Sequence, residues 1–173
     1  MDIKELIENS IELKYGWYHT DTGQYIRVAN GQIIELANRL RIWETFPAFV
    51  YDTSNGYGAV VTIGKYESVI AGNDIDSIEL FSDGYIICNT PDRMKRQLRR
   101  GDEAILNADD IYRVENGLFV AVSNDVHYAV IMKSTEDVST KPVAKGKIKY
   151  EEESDSFFWF DGNKNEWVKI IEE

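Results

Sequence analysis

Apolar residues in this chain come in short runs separated by turn-forming dipeptides. Tyr25-Ile26-Arg27-Val28, Phe49-Val50-Tyr51 and the stretches 57–63, 66–71, 78–81, 85–88, 111–114, 118–122 and 127–132 are rich in Val, Ile, Tyr and Phe, the composition of strands. Five Asn-Gly or Asp-Gly dipeptides punctuate them, at Asn30-Gly31, Asn55-Gly56, Asp83-Gly84, Asn116-Gly117 and Asp161-Gly162. A tight type I′ turn needs positive φ at both central residues, which Asn or Asp followed by Gly adopts at least cost. The chain therefore reads as successive antiparallel hairpins.

Two stretches follow a helical pattern instead. Ile3, Leu6, Ile7 and Ile11 recur at helical spacing among charged residues, which predicts an amphipathic helix ending near Tyr15-Gly16. In 90–101, Thr90 suits an N-cap, Pro91 the first helical position, Asp92 the first turn and Gly101 the stop. These signals predict a short helix over 91–100. One stretch is ambiguous: Gln32-Ile33-Ile34-Glu35-Leu36 fits the second arm of a hairpin, and Ile33, Ile34, Leu36, Ala37 and Leu40 also fit a helix.

Residues 133–146 are polar and carry Pro142 and Gly146, the composition of an exposed loop. The tail 147–173 holds strand-like runs around Asp161-Gly162 and two tryptophans, Trp159 and Trp167. The expected organisation is thus a main β-rich domain over 1–135, a polar linker over 136–146 and an aromatic β-hairpin region over 147–173 docked on the main domain. The expected fold is α+β and β-dominated. It is an antiparallel meander of hairpins curled into a barrel or two-layer sandwich, with about eight to ten strands, an N-terminal helix and one short basic helix. Ile78-x-x-Phe81-x-Asp83-Gly84 and Ile111-x-x-Val114-x-Asn116-Gly117 are similar, and Tyr25-x-x-Val28-x-Asn30-Gly31 matches them loosely. The shared demands of hairpins account for this without a repeat architecture.

Charge narrows the class of partner. The chain has 19 Lys and Arg against 30 Asp and Glu, a formal net charge of −11. Non-specific nucleic-acid affinity comes from phosphate neutralisation by cations, so this balance points to a basic protein partner instead. A single cysteine, Cys88, leaves no intramolecular disulfide and no cysteine-based zinc site. No basic leader with an apolar run opens the sequence and no stretch is apolar enough for a membrane span, so a cytoplasmic location without membrane contact is expected. Oligomeric state is not legible, and no cofactor is implied.

Candidate chemistry is sparse. Arg93, Lys95, Arg96, Arg99 and Arg100 crowd into one short segment; on a helix Arg96 would share a face with Arg99 and Arg100, with Arg93 one turn before, and such a face suits phosphate, nucleic acid or an acidic peptide. Glu151, Glu152, Glu153 and Asp155 form an acidic cluster that would face a basic partner. Cys88, just before the expected helix start, would have its thiol activated by the helix terminus, with His127 as base and Asp125 orienting it. Asp21-Thr22-Gly23 resembles the active-site loop of aspartic proteases, and Val61-Thr62-Ile63-Gly64 resembles their later apolar-apolar-Gly element. That resemblance implies two Asp21 carboxylates sharing a proton across a homodimer. The chain departs from it at Tyr18-His19-Thr20, where an apolar strand is expected, and at Gln24, where a small residue is. Asp161, Asn163 and Asn165 alternate like a calcium loop, but Glu166 stands where the loop needs Gly.

No catalytic residue or metal ligand is therefore assigned. The sequence reads best as a non-enzymatic macromolecule-binding protein. Acidic inhibitors, immunity proteins and phage or mobile-element accessory proteins acting on a basic, nucleic-acid-binding protein have this profile. The alternatives are a nucleic-acid or phosphate contact through 91–100, a hydrolase using Cys88 or Asp21, and a structural subunit of an assembly.

Overall fold

The computed structural model describes residues 2–52, 58–114, 117–134, 136–143 and 148–170. Helix α1 (Ile3–Glu8) opens the chain, with the Asp2 carboxylate accepting the Lys4 N–H at 3.1 Å. It stops well before the expected Tyr15-Gly16. The Asn9 and Ser10 side chains donate to the carbonyls of Glu5 (3.1 Å) and Leu6 (2.7 Å), and Ile11 passes into a strand. Such side-chain bonds to the preceding turn compete with helix continuation.

Nineteen strands follow among the described residues, more than the apolar runs suggest, because strands of two or three residues still pair. The first sheet is built from β1 (Ile11–Glu12), β2 (Trp17–His19), β3 (Tyr25–Ala29) and β4 (Gln32–Ala37). The second holds β5 (Leu40–Trp43), β6 (Ala48–Asp52), β7 (Gly58–Ile63) and β8 (Tyr66–Ala71). The third holds β9 (Glu79–Leu80), β10 (Tyr85–Asn89), β11 (Arg96–Arg100) and β12 (Glu103–Ala108), and the fourth β13 (Asp110–Arg113), β14 (Phe119–Ser123), β15 (Val126–Met132) and β16 (Val138–Val143). The last holds β17 (Ile148–Glu151), β18 (Ser156–Asp161) and β19 (Glu166–Lys169). Every sheet keeps its strands in chain order, so each is an up-and-down antiparallel meander.

Turn chemistry explains the registers. At Asn30-Gly31 both residues have positive φ (52° and 74°) and Ala29 pairs with Gln32, the expected type I′ hairpin. The stretch that also fitted a helix is thereby fixed as β4. Asp83-Gly84 closes differently. Only Gly84 is left-handed (φ 95°), the Gly84 N–H donates to the Phe81 carbonyl, and the Phe81 N–H donates to Tyr85 across a wider loop. Asn55-Gly56 and Asn116 lie outside the described residues. Asp161 accepts the Asn163 and Lys164 N–H groups, at 3.0 and 3.4 Å, and so shapes a longer loop between β18 and β19.

Two elements correct the sequence reading. No helix forms over 91–100. The same chemistry that caps a helix here closes a turn: the Thr90 hydroxyl donates to the Asp92 carboxylate (2.6 Å), which accepts the Met94 N–H (3.0 Å), while the Thr90 N–H donates to the Lys95 carbonyl (2.9 Å). Arg93 then adopts φ 63°, incompatible with a helix, and Arg96–Arg100 pairs with β12 along its length. Second, the polar stretch 133–146 contains β16, with Val138 through Val143 paired to Met132 through His127. Pro142 is tolerated because β16 is an outer strand.

The chain divides into two compact units, Met1–Tyr85 and Ile86–Glu173. In the first, Trp17, Ala37, Phe49, Tyr51 and Val60 form a buried cluster between the first two sheets. In the second, Leu118, Val120, Ala129, Val143 and Ile170 form another, with Tyr112, Phe157 and Trp159 packed against it. Asp83-Gly84 and the turn at Gly117 both join the first and second strands of their sheets, so that similarity marks equivalent places in successive meanders. Asn30-Gly31 joins a third strand to a fourth, so its match is hairpin chemistry alone.

Candidate functional site

The five cations expected on one short helix are instead distributed along a turn and a strand. Arg93 and Lys95 lie in the exposed turn before β11, and Arg96, Arg99 and Arg100 follow on β11 itself. A strand advances about 3.3 Å per residue, so Arg96 and Arg100 sit at opposite ends of a segment on the order of 13 Å long. Several of these cations are engaged within the fold. Lys95 is ion-paired with Asp109. The Arg96 guanidinium donates to the Asn89 side chain at 2.8 Å. Arg99 donates to the Gln97 side chain (2.9 Å) and to the Gly101 and Asp102 carbonyls (3.4 and 3.2 Å). Gln97 in turn donates to Asn107 across the strand pair at 3.0 Å.

The turn at 90–95 is held by carboxylates whose charged form the fold favours. The Thr90 hydroxyl and the Met94 N–H keep Asp92 below the usual carboxylate range, and Lys95 with the Asn124 N–H does the same for Asp109. A carboxylate depressed in the folded state stabilises above its unfolded pKa of about 3.9 and loses that contribution as pH falls through the lower folded value. The expected result is that the 90–95 turn loosens only in strong acid. Carboxyl NMR titration checks it, with both groups ionising below an unfolded-chain reference.

Glu151, Glu152, Glu153 and Asp155 are exposed around the turn between β17 and β18, where Glu151 pairs with Ser156. Asp155 adopts φ 47° and accepts a hydrogen bond from the Tyr150 hydroxyl. Unlike the basic segment, this acidic cluster is a compact local feature, as its spacing in the sequence implied.

Cys88 is fully buried on β10, and the next element is the strand β11, not a helix. Burial pushes its thiol up to about 11, against the opposing pull of Arg99 and Arg96. Native Cys88 is therefore expected to resist iodoacetamide near neutral pH and to react fully only after unfolding, which mass spectrometry reads directly. His127 directs Nδ1 to the Tyr112 hydroxyl at 2.9 Å. Asp21 is exposed in the turn between β2 and β3, a turn organised by Thr20, whose hydroxyl donates to the Gln24 carbonyl (2.9 Å) and accepts the Gln24 N–H (3.1 Å). Among the described residues, no group of three or more His, Cys, Asp or Glu is gathered to hold a metal, and no helix is long and apolar enough to cross a membrane.

Two features were not visible in the sequence. In the first unit, Arg39 clasps Asp74 (2.9 Å) and Asp76 (2.5 Å), and Arg41 donates to the Ile75 and Ile78 carbonyls (3.0 and 3.1 Å) while stacking over Trp43. Together they fasten the 72–78 connection to β5. Also in that unit, Tyr51 lies under the influence of both Glu35 and Glu67. Neither grouping has a sequence signal, since each joins residues far apart in the chain. Comparison with protein-family models, curated proteins and solved structures gives no match.

Proposed function

We propose that this chain is a non-enzymatic macromolecule-binding protein, an acidic inhibitor, immunity or mobile-element accessory protein that engages a basic, nucleic-acid-binding protein. The observation that carries the reading is the disposition of its charge. The net charge is −11, the carboxylates Glu151, Glu152, Glu153 and Asp155 are exposed, and Lys95, Arg96 and Arg99 are engaged internally. A cationic protein surface complements this pattern and would be steered to it at low ionic strength. A phosphate backbone would meet predominantly like charge.

The test is affinity capture from a host lysate at moderate salt. Wild-type protein is compared with a variant carrying Glu151→Lys, Glu152→Lys, Glu153→Lys and Asp155→Lys. A basic protein captured by the wild type, and weakened by the reversal or by added salt, is the expected outcome. Capture of nothing, or of nuclease-sensitive material alone, would contradict the reading.

A further inference from the structure

The outer strands of the first unit's two sheets expose apolar side chains that the fold leaves uncovered. On β4, Ile34 is 45% and Leu36 56% exposed; on β8, Tyr66 is 70% and Val69 63% exposed. Both strands are the last in their sheets, and β4 pairs only with β3 among the described strands. Exposed edges are usually blunted by lysine, proline or other charge. The outer strand β16 carries both Lys141 and Pro142, whereas β4 and β8 carry neither; the device that β4 does carry is the bulge at Ile34, between the pairs Arg27–Glu35 and Val28–Ile33.

Register places two carboxylates beside this edge. Side chains alternate along a strand, so Glu35 and Ala37 share one face of β4 and Leu36 lies on the other; the register shift at Arg27/Val28 makes Ile34 an extra residue and puts Ile33, paired with Val28, on the Leu36 face. The Glu35 face meets the second sheet: Ala37 packs with Phe49, Tyr51 and Val60, and Glu35 is hydrogen-bonded to the Tyr51 hydroxyl. Val60 opposes Tyr51 on one side and Val69 on the other, which puts Val69, and Glu67 two residues before it, on the facing side of the second sheet. Burial first, then Glu35 and Glu67, raises the Tyr51 hydroxyl above its ordinary range. Neither β4 nor β8 holds a Lys or Arg. Arg27, opposite Glu35 in register, lies over the Phe49 ring at 4.7 Å.

We propose that β4 is an acceptor edge for an extended segment of the partner protein. That segment pairs antiparallel with β4, presents arginine or lysine toward Glu35 and Glu67, and lays apolar side chains beside Ile33 and Leu36. Strand addition supplies backbone hydrogen bonds, and alternate side chains supply specificity. Charge decides between occupants. A second copy would bring Glu35 beside Glu35 and add another net charge of −11, whereas a basic segment complements both carboxylates. This inference rests on the binding-protein reading and names the site and the partner's chemistry.

The test is an NMR titration of the 15N-labelled full chain with a short synthetic peptide alternating valine and arginine, beside one alternating valine and glutamate. The arginine peptide is expected to shift the β4 amides saturably and slow their exchange, and the glutamate peptide to leave them unmoved. Combining Glu35→Gln with Glu67→Gln is expected to weaken binding about tenfold. Ile34→Lys, which guards the exposed edge without touching the core, is expected to weaken it by about tenfold or more. Unmoved β4 amides, equal response to both peptides, or binding indifferent to both variants would overturn the proposal. A lysate partner still captured in full by Ile34→Lys would overturn this site and leave the binding function standing, whereas no wild-type capture would remove the function itself.

Discussion

Replacing Trp17 with alanine is expected to cost about 3–5 kcal/mol, a large part of the roughly 5–15 kcal/mol that holds a domain together. Trp17 is fully buried. Its ring meets Phe49 edge-on at 5.5 Å and Tyr51 at 5.1 Å between centroids, and Phe49 in turn stacks on Tyr15 at 6.2 Å. Removing the indole opens a cavity beside Phe49 and Tyr51 in a cluster that joins β2 and β6. Trp17→Phe should cost less. It keeps ring contact with Phe49 and Tyr51, and Trp17 Nε1 has no hydrogen-bond partner among the described residues to lose. Urea denaturation separates these outcomes: a large fall in midpoint for alanine, a small one for phenylalanine, and an unchanged slope if the transition stays two-state.

The second large effect is expected at Leu98. Leu98→Ala should lose about 2–5 kcal/mol, because the side chain is fully buried on β11. Met94→Ala should stay within about 0.5 kcal/mol, since Met94 is 78% exposed in the preceding turn. The contrast separates the strand from the helix that the capping signals suggested. On a helix, residues four apart lie on one face, so Met94 and Leu98 would be buried together and both substitutions would be costly. Comparable losses at the two positions would contradict β11.

The strand-rich, antiparallel, hairpin-based fold with one N-terminal helix was legible because local rules carry it. Asn30-Gly31 set its own turn, and Val, Ile and Phe runs such as Phe49-Val50-Tyr51 became strands where expected. The 91–100 segment was misread because Thr90, Pro91 and Asp92 satisfy N–H groups equally well in a helix cap and in a hairpin turn. Only the cross-strand pairing of Leu98 with Leu106 decides between them. The 133–146 stretch was misread because an outer strand needs no apolar face and tolerates Pro142. Asn124-Asp125, with φ 52° and 65°, forms a tight turn between β14 and β15 that lacked the glycine signal. The acidic cluster at 151–155 was legible because its members are neighbours in sequence. The Glu35–Tyr51–Glu67 grouping was not, since it depends on which sheets face each other.

The redistribution of the basic segment is the pivot between a nucleic-acid contact and a basic protein partner, and the backbone of 90–108 tests it most directly. A nuclear Overhauser measurement on the labelled chain is predicted to show cross-strand contacts for Arg96 with Ala108, Gln97 with Asn107 and Leu98 with Leu106. Contacts between residues three apart throughout 91–100, with none to 106–108, would restore the basic helix and contradict the account.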